Sequence, residues 1–149
     1  MTEPDRSSTA GFVHRVLRVL VVEDSDERLE ILKNLFREHA WVSAHTARRA
    51  MTLIGAYDFD LISLDYDLAG PGRGDDVARH IGQSRNRATS LWVHSMNDPG
   101  TKRISHALPQ AQVIPFTKLT KSNAVIKRIR EQLRDGPLVD WGAVYRRAR

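Results

Sequence analysis

The sequence predicts an α/β fold in which a five-stranded parallel sheet carries helices on both faces. Short runs of β-branched and other apolar residues alternate five times with amphipathic segments, which is the pattern of a parallel sheet covered by helices. The first run, residues 19–22, is apolar at every position, as expected of a strand that is covered on both faces. The last run contains Pro115, which has no amide hydrogen to donate and therefore indicates an edge strand.

The first two units each consist of a strand and a capped helix. Ser25 is the predicted cap of the helix after strand 19–22, and a weaker strand at residues 41–44 precedes a helix that Thr46 opens. Apolar residues recur every three or four positions, so each helix buries one face. These residues are Leu29, Leu32, Leu35 and Phe36 in the first helix and Ala47, Ala50, Leu53 and Ile54 in the second.

The other three units have polar residues at their strand ends. The third strand, residues 61–64, ends at Asp65, and the fourth, residues 91–93, ends at His94 and Ser95. A fifth strand is predicted over residues 112–117. The three helices present Val77, Ala78, Ile81, Ile104, Leu108, Val125, Ile126, Ile129 and Leu133 to the core. Five such units suit the flavodoxin-like strand order 2-1-3-4-5 with five helices, in which sites lie at the carboxyl ends of the strands.

Length and composition indicate one folded domain. The chain has 149 residues, 41 % apolar and 28 % charged, and we predict a flexible leader at residues 1–15, a folded domain at 16–135 and a basic C-terminal tail at 136–149. The absence of cysteine excludes disulfides, thiolate metal sites and cysteine nucleophiles. The apolar runs are too short to cross a membrane and the N-terminus has no signal pattern, so we expect a cytoplasmic protein without a membrane partner.

Carboxylates are predicted to meet at one rim of the sheet. Glu23 and Asp24 follow the first strand, Asp65 follows the third, and Ser95 follows the fourth. Because the carboxyl ends of parallel strands share one edge, these side chains should lie close together. Neighbouring carboxylates repel each other unless a cation neutralises them, and hard oxygen ligands favour Mg²⁺. The sequence therefore predicts a Mg²⁺ site at this rim.

At these residues the sequence resembles the receiver domains of bacterial response regulators, over almost the whole folded part. The resemblance implies two-component phosphorelay signalling, in which Asp65 accepts a phosphoryl group from a sensor histidine kinase or a phosphotransfer protein. It also implies that Asp24, Asp65 and the backbone carbonyl of Asp67 bind Mg²⁺, with Glu23 acting through water. Ser95 matches the family's hydroxyl residue that binds the phosphoryl group.

The family's phosphoryl-binding lysine has two candidate positions in this chain. Receivers usually have Lys-Pro at the end of the fifth strand, and matching Pro115 to that proline puts Ile114 at the lysine position. We predict instead that Lys118 has this role, because its distances along the chain from Asp65 and from the last helix suit the family pattern. Leu119 then replaces the proline.

Other positions depart from the receiver pattern. Met96 stands where the family usually has a small residue beside the phosphoryl group, which implies altered access or altered dephosphorylation. Pro115 stands where many receivers have a switch aromatic residue. The segment HSMN at residues 94–97 is also similar to a divergent receiver branch named for cyclic-phosphate processing. There His94 and Asn97 would be accessory phosphate contacts, although a strand-end histidine is more often structural.

Two other functions are compatible with the sequence. Residues 61–67 (LISLDYD) also resemble the Asp-x-Asp segment of haloacid-dehalogenase-type phosphatases, with Asp65 as nucleophile and Asp67 as acid/base, but Ala69 stands two places after the second aspartate, where that family usually has Thr or Val. A pseudo-receiver that keeps the fold for protein binding, without being phosphorylated, would explain Met96 and the missing Lys-Pro pair. We expect a receiver that phosphorylates and dephosphorylates itself rather than a turnover enzyme.

The net charge of +5 is concentrated in the C-terminal half. Residues 101–134 contain eight Lys or Arg and a single acid, Glu131. We predict that a downstream protein docks on the basic face of the fourth helix, the fifth strand and the closing helix, the α4-β5-α5 face of a five-helix receiver. This face carries Lys121, Lys127, Arg128 and Arg130. Charge runs usually face solvent, and direct nucleic-acid binding is not expected.

Overall fold

The computed structural model describes residues 15–147, and a parallel sheet of five strands forms its centre. The strands are β1 (Arg18–Val22), β2 (Ala40–Ala44), β3 (Leu61–Leu64), β4 (Ser90–Val93) and β5 (Gln112–Val113). The helices are α1 (Asp26–Leu35), α2 (Ala47–Ala56), α3 (Gly74–Gly82), α4 (Asp98–Ala107), α5 (Phe116–Leu119), α6 (Asn123–Asp135) and α7 (Gly142–Arg147). The strand order is β2-β1-β3-β4-β5, with every pair parallel. The predicted flavodoxin-like fold is therefore confirmed.

The number of helices is larger than predicted: five were expected, and the described residues contain seven. The first additional helix is α5, which begins directly after Pro115. A proline is tolerated at a helix start because the first amides of a helix have no intrahelical acceptor. Strand β5 therefore has only two residues, where the sequence predicted a strand over 112–117. The second additional helix, α7, lies in the tail.

Apolar side chains fill both sides of the sheet. One layer lies between the strands and helices α2, α3 and α4, and it includes Ala50, Ile54, Val77, Ile81 and Ile104. The other lies between the strands and helices α1, α6 and α7, and it includes Leu32, Phe36, Ile129, Leu133 and Trp141. Every side chain of β3 is buried, as expected for the central strand of a sheet covered on both faces.

The chain ends were predicted to be a leader and a tail. Of the leader, residues 1–14 lie outside the described residues, and Arg15 donates hydrogen bonds to the carbonyls of Gln132, Leu133 and Gly136 at the end of α6. In the tail, Trp141 is buried against Trp92, with ring centroids 4.8 Å apart. The tail thus contributes a large aromatic side chain to the core of the domain.

No helix among residues 15–147 combines the length and the apolar character that crossing a membrane requires.

Candidate functional site

Side-chain alternation along the strands brings polar groups together at the carboxyl rim. In β1 and β3, Val19 and Val21 point into the layer under α1 and α6, and so does Leu61. Side chains on a strand alternate between the two faces, so every second residue points the same way. Glu23 therefore points in the same direction as Val21, and Ser63 and Asp65 point in the same direction as Leu61. His94 follows Trp92 in the same way on the next strand. The apolar layer therefore ends in buried polar residues: Glu23, Ser63, Asp65 and His94.

Asp65 is held with its two carboxylate oxygens in different environments. The residue is only 3 % exposed, and its own amide donates to the Val22 carbonyl at 3.0 Å. Oδ1 accepts a hydrogen bond from the Tyr66 amide at 2.7 Å. Oδ2 accepts one from Nη2 of Arg28 at 3.3 Å. Burial raises the pKa of Asp65, and the nearby Glu23 carboxylate raises it further, while His94, Ser95 and Arg28 oppose the rise.

Glu23 is fully buried and has four hydrogen-bond donors around it. Arg28 donates to both carboxylate oxygens, at 3.0 and 3.2 Å, and the Ser25 amide donates at 3.0 Å. Nε2 of His94 lies 3.1 Å from Oε1. Burial alone would raise the pKa of Glu23, but the hydrogen bonds from His94, Arg28 and Ser25 outweigh it and lower that pKa to about 2. Glu23 is therefore an anion at neutral pH.

Arg28, in the first turns of α1, is the cation that contacts these acids. It forms ion pairs with Glu23 at 3.0 Å, with Asp65 at 3.3 Å and with Asp24 at 3.9 Å. Its side chain is 36 % exposed, so it lies between the buried carboxylates and solvent. The sequence analysis did not identify this residue. The only available signal was its position in the first turn of the predicted helix, four residues after Asp24.

His94 forms hydrogen bonds through both ring nitrogens. Nδ1 lies 2.8 Å from the Ser63 hydroxyl, and Nε2 contacts Glu23. The indole Nε1 of Trp92 also donates to the Ser63 hydroxyl. One ligand atom from each of Glu23, Asp65 and His94 falls within 4.8 Å of the others, so this cluster has the donor types of a metal site. Both ring nitrogens are already occupied, which fits a residue that positions Glu23.

Asp24 and Asp67 are the more accessible acids of the rim. The Asp24 side chain is 31 % exposed, and burial and the Glu23 carboxylate together raise its pKa. Asp67 is exposed and accepts a hydrogen bond from Nδ2 of Asn97 at 3.1 Å. The side-chain oxygen Oδ1 of Asn97 accepts a hydrogen bond from the Gly100 amide at 3.0 Å and caps α4. Asn97 thus connects the loop after β3 to the helix after β4.

Ser95 and Met96 follow β4 at the edge of the site. Ser95 is buried, its hydroxyl accepts from the Asn97 amide at 3.1 Å, and it lies near enough to Asp65 to lower that pKa. Met96 is 52 % exposed. The structure therefore places Ser95 against the carboxylate and Met96 at the solvent side of the same turn.

Two close approaches of backbone to the site depend on glycine. A Cβ atom at Gly74, the first residue of α3, would collide with the carbonyl of Asp65. A Cβ atom at Gly100 in α4 would collide with the ring of Tyr66. Only glycine therefore allows both helices to begin this close to the end of β3.

Lys118 and Ile114 differ sharply in their surroundings. Ile114 directly follows β5, donates its amide to the Val93 carbonyl at 2.8 Å and is buried in the core. Lys118 lies in α5 with an exposed side chain. Among the described residues, no hydrogen bond or ion pair joins Lys118 to Asp65, whereas Arg28 contacts it directly.

Comparison with known proteins agrees with this architecture. A family model described as "Cyclic-phosphate processing Receiver domain" matches residues 18–110. No curated protein matches the chain. Three solved structures illustrate the fold similarity.

The phosphorylated cyanobacterial phytochrome response regulator RcpA is 17 % identical, with a TM-score of 0.61 over 80 % of this chain and 89 % of that one. TrrA from Thermotoga maritima, in complex with Mg²⁺-BeF, is 21 % identical, with a TM-score of 0.59 over 76 % and 99 %. A CheY-like receiver from Methanospirillum hungatei is 18 % identical, with a TM-score of 0.60 over 79 % and 97 %. At these identities the similarity demonstrates a shared fold, and the predicted receiver resemblance is confirmed by the family match: the chain belongs to the cyclic-phosphate processing receiver domain family.

Proposed function

We propose that the chain is a phosphorelay signalling receiver that binds Mg²⁺ and accepts a phosphoryl group on Asp65. The observation that carries this proposal is the arrangement around the Asp65 carboxylate. The Tyr66 amide fixes Oδ1, and Oδ2 faces the partly exposed Arg28. A carboxylate with one oxygen held by a backbone amide and the other directed at a partly exposed cation is suited to act as a nucleophile toward phosphorus.

The phosphoryl step follows from this geometry. Oδ2 of Asp65 forms a bond to phosphorus while the bond from phosphorus to the donor's leaving atom breaks, and the electron pair of that bond departs with the leaving group. Charge accumulates on the three phosphoryl oxygens, and cations and hydrogen-bond donors around them lower its cost. The Ser95 hydroxyl lies on the Asp65 side of its turn and would donate to one of these oxygens.

The acids of the rim fit a magnesium ion. Asp24 and Asp65 provide hard carboxylate oxygens, and the carbonyl of Asp67 follows two residues after Asp65. Glu23 already accepts four hydrogen bonds, so it would act through water. When bound, Mg²⁺ would neutralise developing phosphoryl charge. Burial and the neighbouring Glu23 carboxylate raise the pKa values of Asp24 and Asp65. A cation at the rim would offset both effects, so the raised pKa values support such a site.

The phosphodonor would be a sensor histidine kinase or a phosphotransfer protein, and the output would go through a surface. We place that surface on the face formed by α4, β5 and α6, which is the α4-β5-α5 face of the five-helix prediction. Lys121 and Lys127 are exposed there, whereas Arg128 pairs with Glu131 and Arg130 donates to the Asn34 carbonyl. Lys121 and Lys127 are thus the basic side chains of this face that we expect to contact an acidic partner protein.

Incubation with acetyl phosphate and Mg²⁺ tests this function directly. We expect a hydroxylamine-sensitive acyl phosphate on Asp65, detected by intact mass and peptide mapping, and none in Asp65→Asn. Beryllofluoride with Mg²⁺ should change the fluorescence of Trp92, because Trp92 is linked through Ser63 and His94 to Glu23. If neither reagent gives an Asp65-dependent response, the chain is a pseudo-receiver.

Processing of a cyclic phosphate is the second candidate function. The family's description names it, and one ligand atom from each of Glu23, Asp65 and His94 lies within 4.8 Å of the others, so a metal ion that replaced the hydrogen bonds among them would be placed to activate water. A hydrolysis assay with a cyclic nucleotide monophosphate and Mg²⁺ or Mn²⁺ separates the two candidates. Sustained turnover that is lost in His94→Gln would favour this second function over phosphoacceptance alone.

A further inference from the structure

We propose that Arg28 is the residue that binds the phosphoryl group during transfer to Asp65. This inference rests on the proposed phosphoacceptor function and assigns the missing cation of that site. Phosphoryl transfer to a carboxylate requires positive charge near the transferred oxygens, because anionic nucleophile and anionic donor repel each other. Arg28 is the basic residue with a direct contact to the Asp65 carboxylate among residues 15–147.

The position of Arg28 matches the path of an incoming phosphoryl group. Its Nη2 contacts Oδ2 of Asp65, which is the oxygen that the Tyr66 amide does not bind. The Arg28 side chain is 36 % exposed, whereas that of Asp65 is 5 % exposed. The guanidinium therefore lies on the solvent side of the nucleophilic oxygen. A phosphodonor that approaches Oδ2 from solvent meets Arg28 first.

Glu23 anchors Arg28 for this purpose. Nε of Arg28 donates to Oε1 of Glu23 at 3.0 Å, and Nη2 donates to Oε2 at 3.2 Å. Glu23 is fully buried and is itself fixed by His94 and the Ser25 amide. One edge of the guanidinium can therefore stay bound to Glu23 while Nη2 moves from Oδ2 to a phosphoryl oxygen. The planar fork of arginine suits such bridging between two anions, which a lysine cannot do equally well.

The charges at the rim leave room for both Arg28 and a metal ion. Glu23, Asp24 and Asp65 are three acids, and Arg28 contacts all of them. One guanidinium among three carboxylates leaves two negative charges, which one divalent cation would balance. Arg28 is accordingly a complement to Mg²⁺ and not a substitute for it.

Neither of the two positions that could match the family's lysine provides a cation at the rim. Ile114, at the end of β5, is apolar and buried in the core. Lys118, the candidate from the sequence, is exposed on α5 and has no hydrogen bond or ion pair to the rim acids in the described part of the chain. Arg28 thus occupies the location that the chemistry requires.

Beryllofluoride titration in saturating Mg²⁺ tests the assignment, with the adduct followed by ¹⁹F NMR. Wild-type protein, Arg28→Gln, Arg28→Lys and Lys118→Gln are compared, with Arg49→Gln as the matched control. Arg49 is an exposed arginine of α2, so its replacement removes the same charge away from the rim. We expect Arg28→Gln to weaken beryllofluoride binding by roughly tenfold or more and Arg28→Lys to weaken it less, with Arg49→Gln unchanged.

Two measurements make the result decisive. Mg²⁺ binding without beryllofluoride should be equal or tighter in Arg28→Gln, because a competing cation is removed from Asp24 and Asp65. Thermal unfolding identifies any variant that fails to fold; if Arg28→Gln does so, Arg28→Lys decides. Beryllofluoride affinity within twofold of wild type in the folded Arg28 variants would overturn the proposal, as would a tenfold loss in Lys118→Gln alone. Failure of wild-type protein to bind beryllofluoride would instead reject the phosphoacceptor function itself.

Discussion

The two sides of the sheet have similar apolar layers but end differently at the carboxyl rim. Under α2, α3 and α4 the layer closes at this rim with two buried hydrophobic residues, Tyr66 and Leu68. Under α1 and α6 the layer passes into Glu23, Ser63, Asp65 and His94, all buried and hydrogen-bonded. The first side stabilises the fold, whereas the second side joins the core directly to the candidate site.

This difference implies that substitutions on the two sides should have different consequences. A hydrogen-bonded chain runs from Glu23 through His94 and Ser63 to Trp92, which packs against Phe36 and Trp141. Changes along this chain should alter both stability and ligand binding. Changes on the opposite side should alter stability alone. Three substitutions test the contrast, beginning with the largest expected effect.

Trp141→Ala should destabilise the protein by about 3–5 kcal/mol, because it removes a buried indole and leaves a cavity beside Trp92. Urea unfolding measures the loss. Trp41→Ala is the comparison variant, since Trp41 is 36 % exposed on edge strand β2 with Lys33 over its ring, and its replacement should cost clearly less than that of the fully buried Trp141. Equal losses in the two variants would mean that the tail is not part of the core on the α1 and α6 side.

Ser63→Ala should cost about 1–3 kcal/mol, because it leaves the buried His94 Nδ1 and Trp92 Nε1 without their shared partner. It should also weaken beryllofluoride binding severalfold, since His94 then no longer holds Glu23 and Arg28 in place. Urea unfolding and ¹⁹F NMR titration measure the two effects.

The control for Ser63 lies on the opposite side of the sheet. Ile81→Val, in α3, should cost about 0.5–1.5 kcal/mol and leave beryllofluoride affinity unchanged. If Ile81→Val changed the affinity as much as Ser63→Ala, the two sides would be equally coupled to the site and the contrast would be wrong.

Much of the fold and part of the site followed from local sequence patterns. The apolar runs 19–22 and 61–64 and the spacing of Leu29 and Leu32 directly reflect burial, so the strand order and the placement of Asp65 were predictable. The end of β5 could not be predicted, because Pro115 is compatible both with an edge strand and with a helix start.

The contacts of the rim depend on side-chain reach, which periodicity does not encode. Arg28 occupies a polar position of an amphipathic helix and looks like any solvated arginine until Glu23 and Asp65 are placed beside it. Ser63 gave a weak signal, since a hydroxyl inside an apolar strand requires a buried partner, but the sequence could not identify that partner as His94. Trp141 lies in a segment without a clear period, so the sequence left open whether it packs on the domain or stays free, and it did not identify Trp92 as the partner.

The smallest expected effect concerns His39, at the opposite end of the α1 and α6 side. His39 is buried, and its Nδ1 accepts a hydrogen bond from the Leu17 amide at 3.1 Å. Burial lowers the pKa of His39 below its ordinary value of 6.5, and Arg15 and Arg134 lower it further, against the opposing effect of Glu38. Below that ordinary value the unfolded chain binds a proton that the folded chain does not, so stability should fall as the pH drops through about 6.5 toward the folded pKa.

Urea unfolding between about pH 7.5 and about pH 5.5 measures this dependence. His39→Gln should flatten the pH dependence of stability, because glutamine does not titrate in this pH range. His106→Gln, at an exposed position of α4, is the control and should leave the pH dependence as in the wild type. An unchanged slope in His39→Gln would show that the neutral imidazole does not contribute to stability in this range. A flattened slope would show that hydrogen bonds of buried histidines stabilise both ends of this side of the sheet: His39 with the Leu17 amide at one end, and His94 with Glu23 at the other.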